Sequence, residues 1–301
     1  MNKRILAGIV SFNPDLELLE RNMKALENQG CQILLVDNGS ANNGDIQAVA
    51  DDHGAIFISN YENRGLAAAL NQILDYAADS QYEWYLTMDQ DSIVSPSLVE
   101  DLLGHAEDAD GILCPYLLNN SKMSVSEFEQ LHLPAFREIE DPLGCITSAS
   151  LNRTAAAREI GGYDERLFID CIDVDFNIRM MNAGYRIRQS GNSYLIQQMG
   201  EGRVIPFFDG LYRLTHLNVF RRLSVSPVYS NLRLYYISRN SSYIQKKYQE
   251  KAGPRMQKKW MNAQFLYYCL TYPKSRKRSE MIASWKKGRK DAPLLLEETE
   301  C

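Results

Sequence analysis

The sequence predicts an α/β fold built on a mostly parallel sheet with helices on both faces. Within the first 115 residues short apolar runs alternate with helical patterns, in the order strand–helix four times over. Asn13, Asp37 and Asp89 each stand directly after an apolar run. Those are the strand ends that line the ligand crevice of an open parallel sheet.

The elements follow in order. RILAGIVSF (4–12) is a continuous apolar run, as expected of a strand covered on both faces. In the next helix Leu16, Leu19, Met23 and Leu26 form the apolar stripe, with Pro14 in the first turn and Gly30 at the end. QILLV (32–36) is the second strand, and 44–54 a short helix with Ile46, Val49 and Ala50 on one side. AIFIS is the third strand, and 65–80 a helix with Leu66, Leu70, Ile73 and Ala77 inward. EWYLTM (83–88) is the fourth strand, after which Ser95 and Pro96 open a helix as N-cap and first helical residue. Residues 116–142 lack a clear period and read as loop with at most one short helix. CITSASL, the helix end AAAREIGGY and the segment 168–187 complete the first part. From 203 onward the chain is basic and aromatic-rich, with helical stretches near 229–250, 255–272 and 278–290.

A chain of 301 residues can bury roughly 75% of its unfolded surface. Apolar content of 45% with 24% charged residues excludes disordered and fibrous classes. No window holds 18 uncharged apolar residues, and MNKRILAGIVSF carries no signal-peptide pattern. Six cysteines without C-x-x-C, and four histidines without H-x-x-x-H, suit a reduced cytoplasmic protein rather than a zinc or disulfide scaffold. Neither G-x-G-x-x-G nor G-x-x-x-x-G-K-[ST] occurs, which removes dinucleotide dehydrogenases and P-loop NTPases. The net charge of −5 hides a split. Residues 1–202 hold 13 Lys and Arg against 31 Asp and Glu, whereas 203–290 hold 20 against three. That pattern suggests an acidic domain followed by a basic segment facing a polyanion, the plainer reading being a solvated basic face.

The acids carry the chemistry. Asp89-Gln90-Asp91-Ser92 puts two carboxylates one residue apart just past a buried strand. Such a pair can share Mg²⁺ or Mn²⁺ with waters and substrate phosphates. Asp173 precedes the helical pattern VDFNIRMMNAG and is a candidate general base for an attacking hydroxyl, with Asp170 beside it. Asp175 is expected to pair with Arg179 at i,i+4.

IVSFNPD, VDNGS (36–40), NRGLAAALN (63–71), MDQDS (88–92) and FIDCIDVDFNIRMMNAGYRI (168–187) resemble the family 2 glycosyltransferases of GT-A fold, in particular bacterial rhamnosyltransferase-like members. The resemblance spans about residues 3–245 and implies a GT-A catalytic domain over 1–202, with a nucleotide-binding half 1–115 and an acceptor half 116–202. Residues 203–301 would be a basic helical region completing the site. It implies that Asn13 and Asp37 contact base and ribose, that Asn63 and Gly65 lie over the nucleotide, and that Asn71 supports them. Asp91 and Asp89 become the metal pair, with Asp89 also reaching the ribose, and Asp173 the base of an inverting displacement. YSNLRLYYISRN (229–240) matches a pattern that makes Arg233 and Arg239 candidates near the diphosphate. Ala149 stands where relatives carry glycine, and Tyr229 and Gln198 where they carry histidine, leaving His216 as the histidine of this region.

The implied activity is metal-dependent transfer of a sugar, with rhamnose from dTDP-rhamnose as the leading candidate, to a lipid-linked saccharide of O-antigen or other surface polysaccharide. Mn²⁺ or Mg²⁺ and a dTDP- or UDP-linked donor are the expected cofactors. The expected partners are the acceptor and an anionic membrane surface at the inner face of the cytoplasmic membrane, with no nucleic acid. A UDP-sugar hexosyl or galactofuranosyl transferase, or a non-catalytic nucleotide-sugar binder, are the alternatives.

Overall fold

Four parallel strands lay down the first half of the sheet: β1 (Leu6–Ser11), β2 (Gln32–Asn38), β3 (Ile56–Asn60) and β4 (Trp84–Asp89), in the spatial order β3-β2-β1-β4. The computed structural model describes residues 5–118, 123–197 and 202–297. The chain divides into two compact units, 1–198 and 199–301.

Alternation along the strands divides the buried residues between the two faces. Ala7 and Ile9 of β1 join one core cluster with Leu19, Met23 and Leu26 of α1 (Leu16–Glu27) and with Ile46 and Val49 of α2 (Asn43–Asp52). Each fully buried leucine there contributes about 2 kcal/mol of transfer free energy. Gly8 faces the other way, towards α3 (Leu66–Asp79), where a Cβ would fall 2.3 Å from Ile73 Cγ2. α1 starts two residues later than expected, at Leu16: Asp15 is the N-cap, accepting from the Glu17 and Leu18 amides at 3.0 and 3.3 Å, and Pro14 lies before it.

The second half continues β4-β8-β6-β9-β5, with β7 also on β9. Here β5 is Ser92–Val94, β6 Asp110–Leu118, β7 Phe136–Glu138, β8 Ser150–Arg153 and β9 Arg186–Gln197. β8 runs antiparallel to both β4 and β6, while β6 and β9 are parallel. α4 (Leu98–Gly104), α5 (Val125–Glu129), α6 (Thr154–Glu159) and α7 (Ile172–Asn182) complete the unit. The stretch expected as loop thus holds the end of β6, α5 and β7. Pro115 hid β6, because proline interrupts a strand ladder; a register shift between Cys114 and Tyr116 accommodates it. Asp110, fully buried, is held by Arg186 and Arg188 of β9 at 3.2 and 2.6 Å. Ser95 does not cap α4, which begins at Leu98; its hydroxyl instead accepts from the Tyr194 amide at 3.2 Å.

The second unit is mainly helical. A short ribbon of β10 (Gly202–Val204) and β11 (Val225–Pro227) flanks α8 (Pro206–Thr215) and α9 (Asn218–Leu223). α10 (Asn231–Tyr248), α11 (Lys258–Thr271) and α12 (Arg278–Asp291) follow. Gly288 lets α12 approach α10 so closely that a Cβ there would lie 2.4 Å from the Tyr235 carbonyl oxygen. Phe265 stacks on Trp285 with ring centroids 4.4 Å apart, and Tyr268, Tyr272 and Trp285 are buried. Trp260 is exposed. Most aromatics of this basic, aromatic-rich region thus pack into the unit's core. Among the described residues no helix is long and apolar enough to cross a membrane.

Candidate active site

The ends of β1, β2 and β4 carry the polar residues singled out above. Register places Ser11 beside Asp37 and Val10 beside Asp89, so the two aspartates flank the end of β1. Two strand spacings put their backbones about 10 Å apart.

Asp37 is fully buried, and its carboxylate accepts four hydrogen bonds. They come from Ser11 Oγ at 3.2 Å, the Ser40 amide at 3.1 Å, Asn43 Nδ2 at 2.8 Å, and Ser40 Oγ. That occupies a carboxylate's acceptor capacity, so Asp37 here shapes the turn after β2. Asn13, at φ +47°, is clipped to the same turn. Its amide donates to Ser40 Oγ at 2.7 Å, and its Oδ1 accepts from the Ala41 amide at 2.9 Å.

Asp89 and Asp91 are both half-buried at the end of β4 and the turn into β5. The Asp89 backbone is fixed from two sides. Its amide donates to Ser148 Oγ at 3.1 Å, and its carbonyl accepts from Asn22 Nδ2 at 2.6 Å. Between the two aspartates, Gln90 Oε1 accepts from the Phe12 amide at 2.7 Å, tying this turn to the end of β1. Burial pushes the Asp91 carboxyl above its ordinary value, opposed by a hydrogen bond from its own backbone. A nearby cation would offset that desolvation. Two half-buried carboxylates are the hard oxygen donors that Mg²⁺ or Mn²⁺ takes when phosphates and waters fill its other positions, so the residues fit such an ion. Among the described residues no cluster of three His, Cys, Asp or Glu could hold a metal. His216 sits in the left-handed region at the end of α8, its amide donating to the Tyr212 carbonyl at 2.7 Å. Gln198 lies outside the described residues.

Asn63 Oδ1 accepts from the Gly65 amide at 2.9 Å and from Asn38 Nδ2 at 3.2 Å, closing the turn into α3. Gly65, at φ +88°, packs directly on Phe168: a Cβ would fall 2.7 Å from Phe168 Cδ2. The Leu66 amide donates to the Phe168 carbonyl at 2.6 Å. Asn71 makes the second bridge, exchanging hydrogen bonds with the Tyr163 backbone at 2.7 and 2.9 Å and donating to Glu165 at 2.9 Å. Its side chain thus holds the 162–165 loop rather than pointing its polar atoms outward.

These bridges position the acidic loop. Phe168, Asp170 and Cys171 have φ of +57°, +65° and +64°, a run of backbone strain worth about 1 kcal/mol or more at each residue. Asp173 follows in the first turn of α7, half-buried, its Oδ1 accepting from the Val174 amide at 2.9 Å. Burial pushes its carboxyl up to about 6, the Asp170 charge adding to the rise and the Val174 amide opposing it. Asp175 pairs with Arg179 at 2.7 Å, as the spacing predicts. Ala149 carries φ +59°, which explains why glycine suits that position. Arg233 and Arg239 belong to the second unit, on α10. Arg233 lies over Tyr229 at 4.8 Å and Arg239 over Tyr236 at 4.8 Å. Six residues apart, they project about 120° from each other around the helix.

The sequence profile described as Glycosyl transferase family 2 matches residues 7–160. The chain belongs to this family. It is a glycosyltransferase of GT-A fold. Over 257 residues it is 24% identical to dTDP-rhamnosyl transferase RfbF of Shigella flexneri, covering 82% of this chain and 81% of that one. It is also 25% identical over 181 residues to the poly-beta-1,6-N-acetyl-D-glucosamine synthase of Staphylococcus aureus, spanning 42% of that longer protein and 56% of its own length. Among solved structures, mannosyltransferase PcManGT from Pyrobaculum calidifontis, in complex with GDP-Man and Mn²⁺, superposes with a TM-score of 0.56 at 13% identity, over 99% of this chain and 79% of that one. TarS 1-349 of S. aureus with UDP-GlcNAc gives 0.53 at 13%, over 97% and 92%.

The glycosyltransferase's site contains residues that sequence reasoning passed over. Asn22 was detectable, being a polar residue inside the α1 stripe between Leu19 and Leu26. Gln90 and Ser148 stood inside quoted motifs without a role. Nothing in the sequence announced that Phe168 would seat against Gly65.

Proposed function

We propose that this enzyme is an inverting, metal-dependent rhamnosyltransferase that uses dTDP-rhamnose and a lipid-linked saccharide acceptor in surface-polysaccharide (O-antigen-type) synthesis. The observation that carries the reading is one connected set of loops. The Asp89–Asp91 turn is held by Asn22, Gln90 and Ser148, and the Gly65 turn is seated on the loop that delivers Asp173. The choice of dTDP-rhamnose is supported by likeness to RfbF along most of both chains.

In this scheme the acceptor hydroxyl oxygen attacks the anomeric carbon from the face opposite the leaving group. The bond from that carbon to the phosphate oxygen breaks, and the nucleoside diphosphate departs. Asp173 takes the hydroxyl proton, for which a carboxyl raised to about 6 is a stronger base than an ordinary one while staying mostly ionised at neutral pH. A divalent cation held by Asp91 and Asp89 would neutralise charge growing on the diphosphate. Asn63 and Gly65 cover the nucleotide; Asn13, Asp37 and Asn71 hold the loops around it; the resemblance of 229–240 to the family pattern assigns Arg233 and Arg239 to the diphosphate. The basic balance of 203–290 draws the enzyme to the inner face of the cytoplasmic membrane, each Lys or Arg near an anionic leaflet adding about 1 kcal/mol. With Tyr268, Tyr272 and Trp285 in the core, Trp260, Leu266, Leu270, Phe207 and Leu214 are among the exposed apolar residues that would meet the lipid.

The test is release of dTDP from dTDP-rhamnose, with and without acceptor, in Mn²⁺ and in EDTA, beside UDP-GlcNAc, a UDP-galactofuranose donor and GDP-mannose. Cation-dependent turnover of dTDP-rhamnose alone is expected. Preference for a UDP-sugar would replace the donor assignment, and no turnover of any donor would leave a binding protein.

A further inference from the structure

Within the second unit, α10, α11 and α12 line a cavity of about 200 Å³, open to solvent on one side, that no step above uses. Its wall includes Lys246 from α10, Lys258 from the first turn of α11 and Arg289 from the last turn of α12, together with Ser242, Gln245 and Trp285. We propose that this cavity binds a phosphate ester or diphosphate, with Lys246, Lys258 and Arg289 as its cationic clamp.

Three cations from three helices line one space, Lys246 and Lys258 exposed and Arg289 half-buried, and among the described residues no carboxylate is paired with them. Of the unit's acids, Glu280 pairs with Lys277 and Asp291 accepts from Tyr235. The half-buried Arg289 donates to Asn262 Oδ1 at 2.6 Å and lies over the Trp285 ring at 5.6 Å, leaving other N–H groups of its fork available. Burial pushes its guanidinium below the usual value, the response of a cation short of a counter-ion. A second observation is independent of charge. Trp285, 3% exposed, carries an indole Nε1 that is buried without a hydrogen-bond partner. Such an orphan costs about 1–3 kcal/mol, and the side chain that carries it lines the cavity. The serine hydroxyl and glutamine amide suit phosphate oxygens. The space is large enough for a diphosphate. The inference does not rest on the glycosyl-transfer reading, because every residue it uses lies outside the proposed transfer machinery.

The test is titration of the full chain with inorganic pyrophosphate in EDTA, followed by calorimetry and by tryptophan fluorescence. Saturable binding is expected. Lys246→Gln with Lys258→Gln, both exposed and tolerant of change, should weaken it about tenfold or more, while Trp285→Phe abolishes the fluorescence response. The same variants should bind dTDP-rhamnose with Mn²⁺ as the wild type does, which keeps failure here separate from failure of the donor assignment. Geranyl diphosphate binding about tenfold tighter than pyrophosphate would identify a lipid-linked ligand, and equal affinity a soluble one. No binding at about 10 mM, or equal affinity in the double variant, overturns the proposal.

Discussion

Asp173→Asn separates chemistry from folding. The amide keeps the shape and can still accept from the Val174 N–H, now 2.9 Å from Oδ1. It removes only the ability to ionise. Burial holds the native carboxyl at about 6 instead of the ordinary 3.8, and a difference of this size corresponds to about 2 kcal/mol once partial solvent screening is allowed for. The sign follows from a folded-state value raised above the unfolded one. The carboxyl's favourable contribution is complete below pH 3.8 and is lost as pH rises through about 6. At pH 7.5 the variant should therefore be more stable than the wild type, melting about 4–8 °C higher, with little difference at pH 4. Turnover should fall about 10²-fold or more with donor affinity kept. In the wild type kcat/KM should drop tenfold per pH unit below about 6, and this limb should vanish in the residual activity of the variant. Calorimetry at two pH values and a dTDP-release assay read both effects. Near-normal turnover would refute the argument and shift attention to Asp170. A variant both inactive and less stable would show that the carboxylate is structural.

Asp91→Ala should abolish cation-dependent donor binding while leaving the melting curve of the enzyme intact; unchanged nucleotide affinity in Mn²⁺ would remove Asp91 from the metal pair. Gly65→Ala forces a methyl into Phe168 at a φ of +88° and should cost about 1–3 kcal/mol, weakening donor binding and slowing turnover together; loss of stability alone would show that the contact only holds the fold. Gly288→Ala should destabilise the second unit by a similar amount through its clash with the Tyr235 carbonyl, seen as an earlier unfolding transition; an unchanged transition would show that the helices can part without cost. Vesicle co-sedimentation at low salt should capture the enzyme on anionic but not neutral lipid, and no capture on either would remove the membrane from the proposal.

The parallel half of the sheet was legible because its signals are local. RILAGIVSF, QILLV and EWYLTM are apolar runs bounded by polar turns, and nothing in their surroundings competes with that reading. β6 was not legible, since Pro115 breaks the run and only pairing with β8 and β9 makes it a strand. Ser95-Pro96 looked like a helix start because its hydroxyl is a good cap; a partner on β9, distant in sequence, claims it instead. The site shows the same division. Which acids stand at strand ends is a property of neighbours in the chain. That Asn71 is used up by the Tyr163 backbone depends on a contact 92 residues away, and that Ser11 adds to the bonds Asp37 accepts within its own turn depends on the pairing of β1 with β2. The aromatics of 260–285 have the composition of an interface and the packing of a core, and composition alone does not separate the two.

The seat of Phe168 on Gly65 has a thermodynamic consequence. A turn proposed to cover the donor and a loop proposed to serve the acceptor share one contact and one backbone hydrogen bond, so neither can rearrange alone. Linkage then requires symmetry: whatever factor the donor adds to acceptor affinity, the acceptor adds to donor affinity. The glycosyltransferase should bind its two substrates with positive cooperativity, and Gly65→Ala should reduce that cooperativity more than it reduces either affinity measured separately.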